Sequence, residues 1–111
     1  MNQTALIGRI VREIEPKTIG ENRVVINNTL AVQRIRRTEN GPEADFIPFV
    51  VWGRTAELLN EYCRKGDLIG LTGKMQSRSY LKNEEEQVFV VELVVDQLQF
   101  LQSKKETMNI G

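Results

Sequence analysis

The amino-acid sequence predicts an all-β domain, a barrel of five strands with one short helix between the third and the fourth. Three observations carry this. Alternating runs of apolar and polar residues recur along the chain with turn-forming residues between them. Only one stretch, residues 55–65, sets its apolar side chains at helical spacing instead, with Leu58, Leu59, Tyr62 and Cys63 on a single stripe. The two strands that flank this helix have an ordinary core face and, opposite it, a face of aromatic and basic residues.

In chain order, residues 4–10 form the first strand, with Leu6 and Ile10 on one face and Gly8 between them, where a bulge or a close backbone approach fits. Residues 12–22 hold Pro16, Gly20 and mixed charges and read as a loop. The second strand runs from Val24 to Gln33: Val24, Ile26, Leu30 and Val32 share one face, and Asn27, Thr29, Ala31 and Gln33 the other. A basic stalk, Arg34 to Arg37, leads into a segment, Thr38 to Asp45, that is loop by composition. The third strand covers Phe46 to Trp52, with Ile47, Phe49 and Val51 on the core face and Phe46, Pro48, Val50 and Trp52 outward. Pro48 cannot donate to a ladder, so an edge or a bulge is expected there. Thr55 suits a helix N-cap, Arg64 and Lys65 a helix C-terminus, and Gly66 an αL cap. Leu68 to Tyr80 is long for a strand and is expected to bend at Gly70 or Gly73, as a barrel corner requires. Its outward positions are Lys74, Gln76, Arg78 and Tyr80. Glu84 to Glu86 mark a solvated hairpin tip, and Val88 to Val95 is the fifth strand, apolar on both faces except at Glu92. Residues 1–102 form the domain and 103–111 a short polar tail. Two strands showing aromatics and cations outward, joined by a helix that can plug a barrel, are the pattern of an oligonucleotide-binding (OB) fold.

The chain has 111 residues, is 41% hydrophobic and 27% charged, and has a formal net charge of zero, which is ordinary for one soluble domain. No apolar run approaches the roughly 18 residues that span a bilayer, and the N-terminus has no signal-peptide pattern. Cys63 is the single cysteine, which points to a reducing, cytoplasmic compartment. The sequence contains no histidine, which removes the usual Ser-His and Cys-His nucleophile systems and any His-based metal site. No phosphate-cradling glycine motif is present. Neither an enzyme nor a cofactor or metal is expected.

A surface that holds single-stranded nucleic acid needs flat rings for bases and cations for phosphates. Phe46, Trp52 and Tyr80 can supply the rings, and Arg34, Arg36, Arg37, Arg54, Lys74 and Arg78 the charge, with Gln76 among them. By type alone Trp52 and Phe46 fit the core as well as the surface; their alternation with Phe49 and Val51 favours the outward setting. Tyr62, on the helix stripe, reads as core, and so does Cys63. The acidic residues lie mainly in the loops, so zero net charge is compatible with a basic groove. Stacking is worth about 1–3 kcal/mol per base, so three rings supply on the order of 3–9 kcal/mol without any sequence readout.

The segments Leu6-Ile-Gly-Arg-Ile10, Thr29-Leu-Ala-Val32, Phe49-Val-Val-Trp-Gly-Arg54 with Ala56-Glu57, Tyr62-Cys-Arg-Lys-Gly66, Gly73-Lys-Met-Gln-Ser-Arg-Ser-Tyr80 and Val91-Glu-Leu-Val94 stand in the order and spacing of the bacterial-type single-stranded DNA-binding protein (SSB) family, which the chain resembles over nearly its whole length. The resemblance implies an OB fold assembled as a homotetramer, with the first strand pairing across a dimer interface. It implies binding and protection of single-stranded DNA in replication, recombination or DNA uptake. Phe46, Trp52 and Tyr80 match family stacking positions, and Arg54, Lys65 and Arg78 match recurrent basic ones. There are two departures. Arg36 stands where the family often has an aromatic. The chain also stops at Gly111 without the flexible, acidic-tipped tail of longer members, as a natural short form or a truncated one, so no tail-mediated recruitment of replication proteins is expected. The rival readings are an OB interaction module resembling the primosomal replication-restart protein and an RNA-binding OB domain.

Overall fold

The computed structural model describes residues 1–38 and 41–101, with the side chains of residues 36–38 and 42 excepted. The elements are β1 (Thr4–Ile10), β2 (Lys17–Ile19), β3 (Arg23–Thr38), β4 (Gly41–Trp52), α1 (Gly53–Tyr62), β5 (Leu68–Leu81) and β6 (Gln87–Phe100). The sheet order is β1-β5-β6-β4-β3-β2, and β1 also pairs with β3. Five strands thus close into the barrel that the sequence predicts, and β2 is a short addition at the edge of β3. β3–β4 and β5–β6 are long antiparallel hairpins, whereas β4 meets β6 in parallel at two residue pairs and β1 meets β3 at two.

The inward faces follow the alternation of the sequence. Ile10, Ile26, Leu30, Phe49, Val51, Ile69, Leu71, Leu93 and Val95 fill the barrel, and Ala56, Leu59 and Cys63 close one end of it. Each large side chain removed from water here contributes about 1.5–3 kcal/mol. Close approach of strands at the closures excludes side chains. A Cβ on Gly8 would run into the Ala31 carbonyl, and one on Gly73 into the Val94 carbonyl. The register of β5 against β6 shifts between Thr72 and Gly73, at the second of the two glycines, Gly70 and Gly73, where the sequence allows the bend. Pro48 lies one residue before the β4–β6 pairing, so β4 is an edge on that side at the residue that cannot donate.

The polar residue Asn28 is also buried, and it is fully used. Its Oδ1 accepts from the backbone N–H groups of Arg12 (3.1 Å) and Thr29 (2.7 Å), and its Nδ2 donates to the carbonyls of Arg12 (3.1 Å) and Glu13 (3.4 Å). One amide therefore pins the first loop to β3. At the β5–β6 tip Asn83 Oδ1 accepts from the N–H groups of Glu85 (2.9 Å) and Glu86 (3.0 Å), an Asx turn that leaves the three glutamates in water.

Several boundaries differ from the sequence reading: within 12–22, read as a loop, Lys17–Ile19 pair with β3 as β2, the strand expected from Val24 starts at Arg23, and the one expected to end at Val95 runs to Phe100. The segment expected as loop, 38–45, belongs largely to the hairpin. Arg37 and Thr38 pair with Pro42 and Gly41 across a register shift. This end extends past the core, so backbone pairing alone defines it and no apolar period marks it. The helix covers Gly53–Tyr62 rather than 55–65, and its N-cap is Trp52, not Thr55. It ends early because Asp67 organises a turn: its carboxylate accepts from the Arg64 N–H at 2.9 Å and its own N–H donates to the Arg64 carbonyl at 3.0 Å. Gly66, with φ at 93°, serves this turn and not the helix cap. The tail expected from residue 103 lies outside the described residues.

Candidate nucleic-acid interface

Residues opposite one another in a ladder share a face of the sheet. The registers therefore locate the outward side chains relative to each other. Asn27 faces Val50, Val50 faces Val94, and Val94 faces Lys74, so one row crosses four strands on the outside of the barrel. Trp52 lies two residues beyond Val50 on that face, opposite Val25, and Phe46 lies at the other end, opposite Ala31. On β5, Lys74, Gln76, Arg78 and Tyr80 face Val94, Glu92, Val90 and Val88. The barrel thus brings Phe46, Trp52, Lys74, Gln76, Arg78 and Tyr80 to its outer surface on both sides of the β4–β6 junction. Phe46 is 64% and Tyr80 47% exposed, which leaves ring surface open to a planar partner, while Trp52 is half-buried.

The charges are less segregated than the loop positions of the acidic residues suggest. Arg34 is forked between two carboxylates: Nε and Nη2 donate to Asp45 Oδ1 at 3.0 and 2.7 Å, and Nη1 donates to Glu43 Oε2 at 3.1 Å. Asp45 faces the core-side residue Val32, so this cluster works on the face of the hairpin opposite Phe46. The hydrogen bond from Arg34 holds the Asp45 carboxyl below its usual range, and the same bond, with the charges of Asp45 and Glu43, raises the guanidinium. The structure therefore does not bring Arg34 to the rings. Strand pairing across the hairpin, invisible in a linear reading, sets basic and acidic residues side by side.

Arg54 stands in the first turn of α1 and pairs with Glu57 at 3.3 Å. Arg78 remains on the outer face, with its Nε at 3.0 Å from Oε2 of the buried Glu92. Lys74 and Gln76 are exposed on β5, and Lys65 is exposed in the turn after α1, not on a strand face. The backbones of Arg36 and Arg37 belong to β3, but their side chains lie outside the described residues.

The expectation that Tyr62 is core is overturned. It is the last helical residue and is 55% exposed, with its ring edge-on to Phe100 at 5.7 Å and 68°. The stripe turns away from the barrel once Leu59 has filled it, and Cys63, one residue on, is buried as expected.

One residue that the sequence reading passed over is Arg23. Its guanidinium carbon lies 4.8 Å from the centroid of the Trp52 ring. Ending the loop at residue 22 and starting the strand at Val24 left Arg23 assigned to neither, and no linear signal relates it to Trp52. Its registry does: Val25 faces Trp52, and Arg23 is the next residue on that side of β3. Such a cation–π contact at an exposed site contributes about 0.5–1 kcal/mol, less than the roughly 1–3 kcal/mol of a base on the same ring.

Residues 1–101 match the model of the Single-strand binding protein family. The chain is 42% identical over 114 residues to "Single-stranded DNA-binding protein 1" of Clostridium acetobutylicum, covering 97% of this chain and 100% of that one. It is 40% identical over 105 residues to the "Single-stranded DNA-binding protein" of Streptococcus mutans, covering 94% of this chain and 64% of that one. Among solved structures, the fold is similar to that in a Plasmodium falciparum SSB complex with ssDNA, with a TM-score of 0.82 at 24% identity over 92% of this chain and 96% of that one.

Proposed function

The chain belongs to the single-strand binding protein family, and from that membership we propose that it binds single-stranded DNA without reading its sequence. It is a binder and not an enzyme. The observation that carries the reading is the outer face on which Phe46, Trp52 and Tyr80 stand with Lys74, Gln76 and Arg78. Bases stack on the rings, and the ammonium and guanidinium groups meet the phosphates between them. Every base has a π-face, so the arrangement tolerates any sequence. A duplex, whose bases are already stacked and paired, offers it much less. In the cell such binding keeps exposed strands from re-pairing and from nucleases during replication, recombination or DNA uptake, in the cytoplasm. No helix among the described residues is long and apolar enough to cross a membrane.

The protein works as a homo-oligomer, with a tetramer as the favoured state. Among the described residues, 4–8 of β1 pair with β5 alone, which leaves a backbone edge unpaired there beside Ile7, 60% exposed. On the β5–β6 hairpin Leu81, Phe89 and Val91 are 69%, 71% and 55% exposed on the side opposite Lys74 and Tyr80. Exposed apolar residues gathered at a free edge and on one hairpin face support association between copies.

The test uses the single tryptophan. Titration with oligo-dT is expected to quench Trp52 fluorescence strongly, and duplex of the same length to quench it little. Affinity is expected to fall with salt at a log–log slope of about −0.7 per phosphate neutralised. Binding seen by an independent assay without quenching would remove Trp52 from the DNA path; no binding at all would refute the reading.

A further inference from the structure

We propose that Arg23 is a DNA-contacting residue that exchanges partners on binding: its guanidinium gives up the Trp52 ring to a base and takes a neighbouring phosphate. The inference rests on the function proposed above and extends the interface to the β2–β3 corner. Arg23 is exposed, and its guanidinium carbon sits 4.8 Å from the ring centroid of Trp52. The ring is half-buried. A base that stacks on the side under the guanidinium must displace it.

The exchange is favourable because of what Arg23 lacks. Arg34, Arg54 and Arg78 each hold a carboxylate. To take a phosphate, each must first release an opposite charge or share itself between two. Among the described residues no carboxylate pairs with Arg23, so it gives up only a ring contact, the weaker of the two interactions available to that ring. The freed guanidinium then lies beside a stacked nucleotide, whose phosphate it matches in planar, forked geometry. Lys17 shares the corner: it faces Val25, as Trp52 does from the other side, and it too is exposed.

The experiment titrates the native protein, Arg23→Ala, Arg23→Gln and Arg23→Lys with oligo-dT at a series of salt concentrations, reading Trp52 fluorescence. The two neutral variants are expected to bind more weakly at low salt, with a log–log slope shallower by about 0.7, the loss of one phosphate contact. They are expected still to be quenched at saturation, because the base still reaches the ring. Arg23→Lys is expected to keep the native slope. A native slope in both neutral variants would overturn the proposal. Tighter binding by them would overturn it too, because the guanidinium would then merely obstruct the ring. Failure of the native protein to bind oligo-dT is a separate result, visible before any variant is compared, and would count against the function itself.

Discussion

The two hairpins that leave the barrel are built alike and sort their residues differently. The β5–β6 hairpin keeps its cations and Tyr80 on one side and its exposed apolar residues, Leu81, Phe89 and Val91, on the other. The β3–β4 hairpin puts Phe46 on one side and an ion cluster, Arg34 with Glu43 and Asp45, on the other. Residue type alone would have made Arg34 and Arg78 equivalent binding cations. Pairing register makes them different: Arg78, paired with the one carboxylate of Glu92, shares a face with Tyr80, whereas Arg34 is on the face away from Phe46 and holds two carboxylates. The side of the sheet, rather than the residue type, decides which cations stand on the same face as the rings.

The largest effect is expected at the root of the β5–β6 hairpin. Gly73→Val forces a side chain against the Val94 carbonyl and is expected to cost about 3 kcal/mol of stability, read from denaturant unfolding. Next in size are the rings. Tyr80→Ala and Phe46→Ala should each weaken oligo-dT binding by about 1–3 kcal/mol with little change in thermal stability, since both rings are exposed. If only one of them weakens binding, a single hairpin carries the strand. On the other side of the β5–β6 hairpin, Phe89→Asp should shift sedimentation toward smaller species, with a loss of about 1.5–3 kcal/mol for each buried ring; an unchanged assembly would free that face for another role. The smallest effect belongs to Arg34. The Asp45 carboxyl is expected to titrate below the ordinary aspartate value, because Arg34 hydrogen-bonds its charged form, and Arg34→Ala should raise the NMR midpoint toward that value. The contribution of this pair to the hairpin is present above the ordinary carboxylate range and is lost as pH falls through the lowered one. The same variant should leave the salt slope of DNA binding near its native value.

Much of this was legible in the sequence, and what was not has a common cause. Alternation at Ile47, Phe49 and Val51 located the core face of β4, and with it the outward setting of Phe46 and Trp52, because burial imposes a period of two. The bend of β5 was readable only to one of two glycines, Gly70 or Gly73; the close approach of the Val94 carbonyl that singles out Gly73 belongs to the pairing across strands. The hairpin end at 38–45 was not: past the core no burial pattern exists, and pairing is written in backbone groups that every residue shares. Arg23 and the Arg34 cluster escaped for the related reason that both depend on which residues face each other across strands. Tyr62 misled because a helical stripe does not say where the barrel it packs on ends.

The closing of the barrel carries a consequence for the bound state. By their pairings among the described residues the strands fall into two rafts, β1-β5-β6 and β4-β3-β2, joined through the sheet by two clasps of two residue pairs each. Trp52 and Phe46 ride on one raft, Lys74 and Tyr80 on the other. A nucleotide strand bound as proposed, from Trp52 toward Lys74, would pass over the β4–β6 clasp and splint it, so that the ligand itself would become a strut of the wall that holds it.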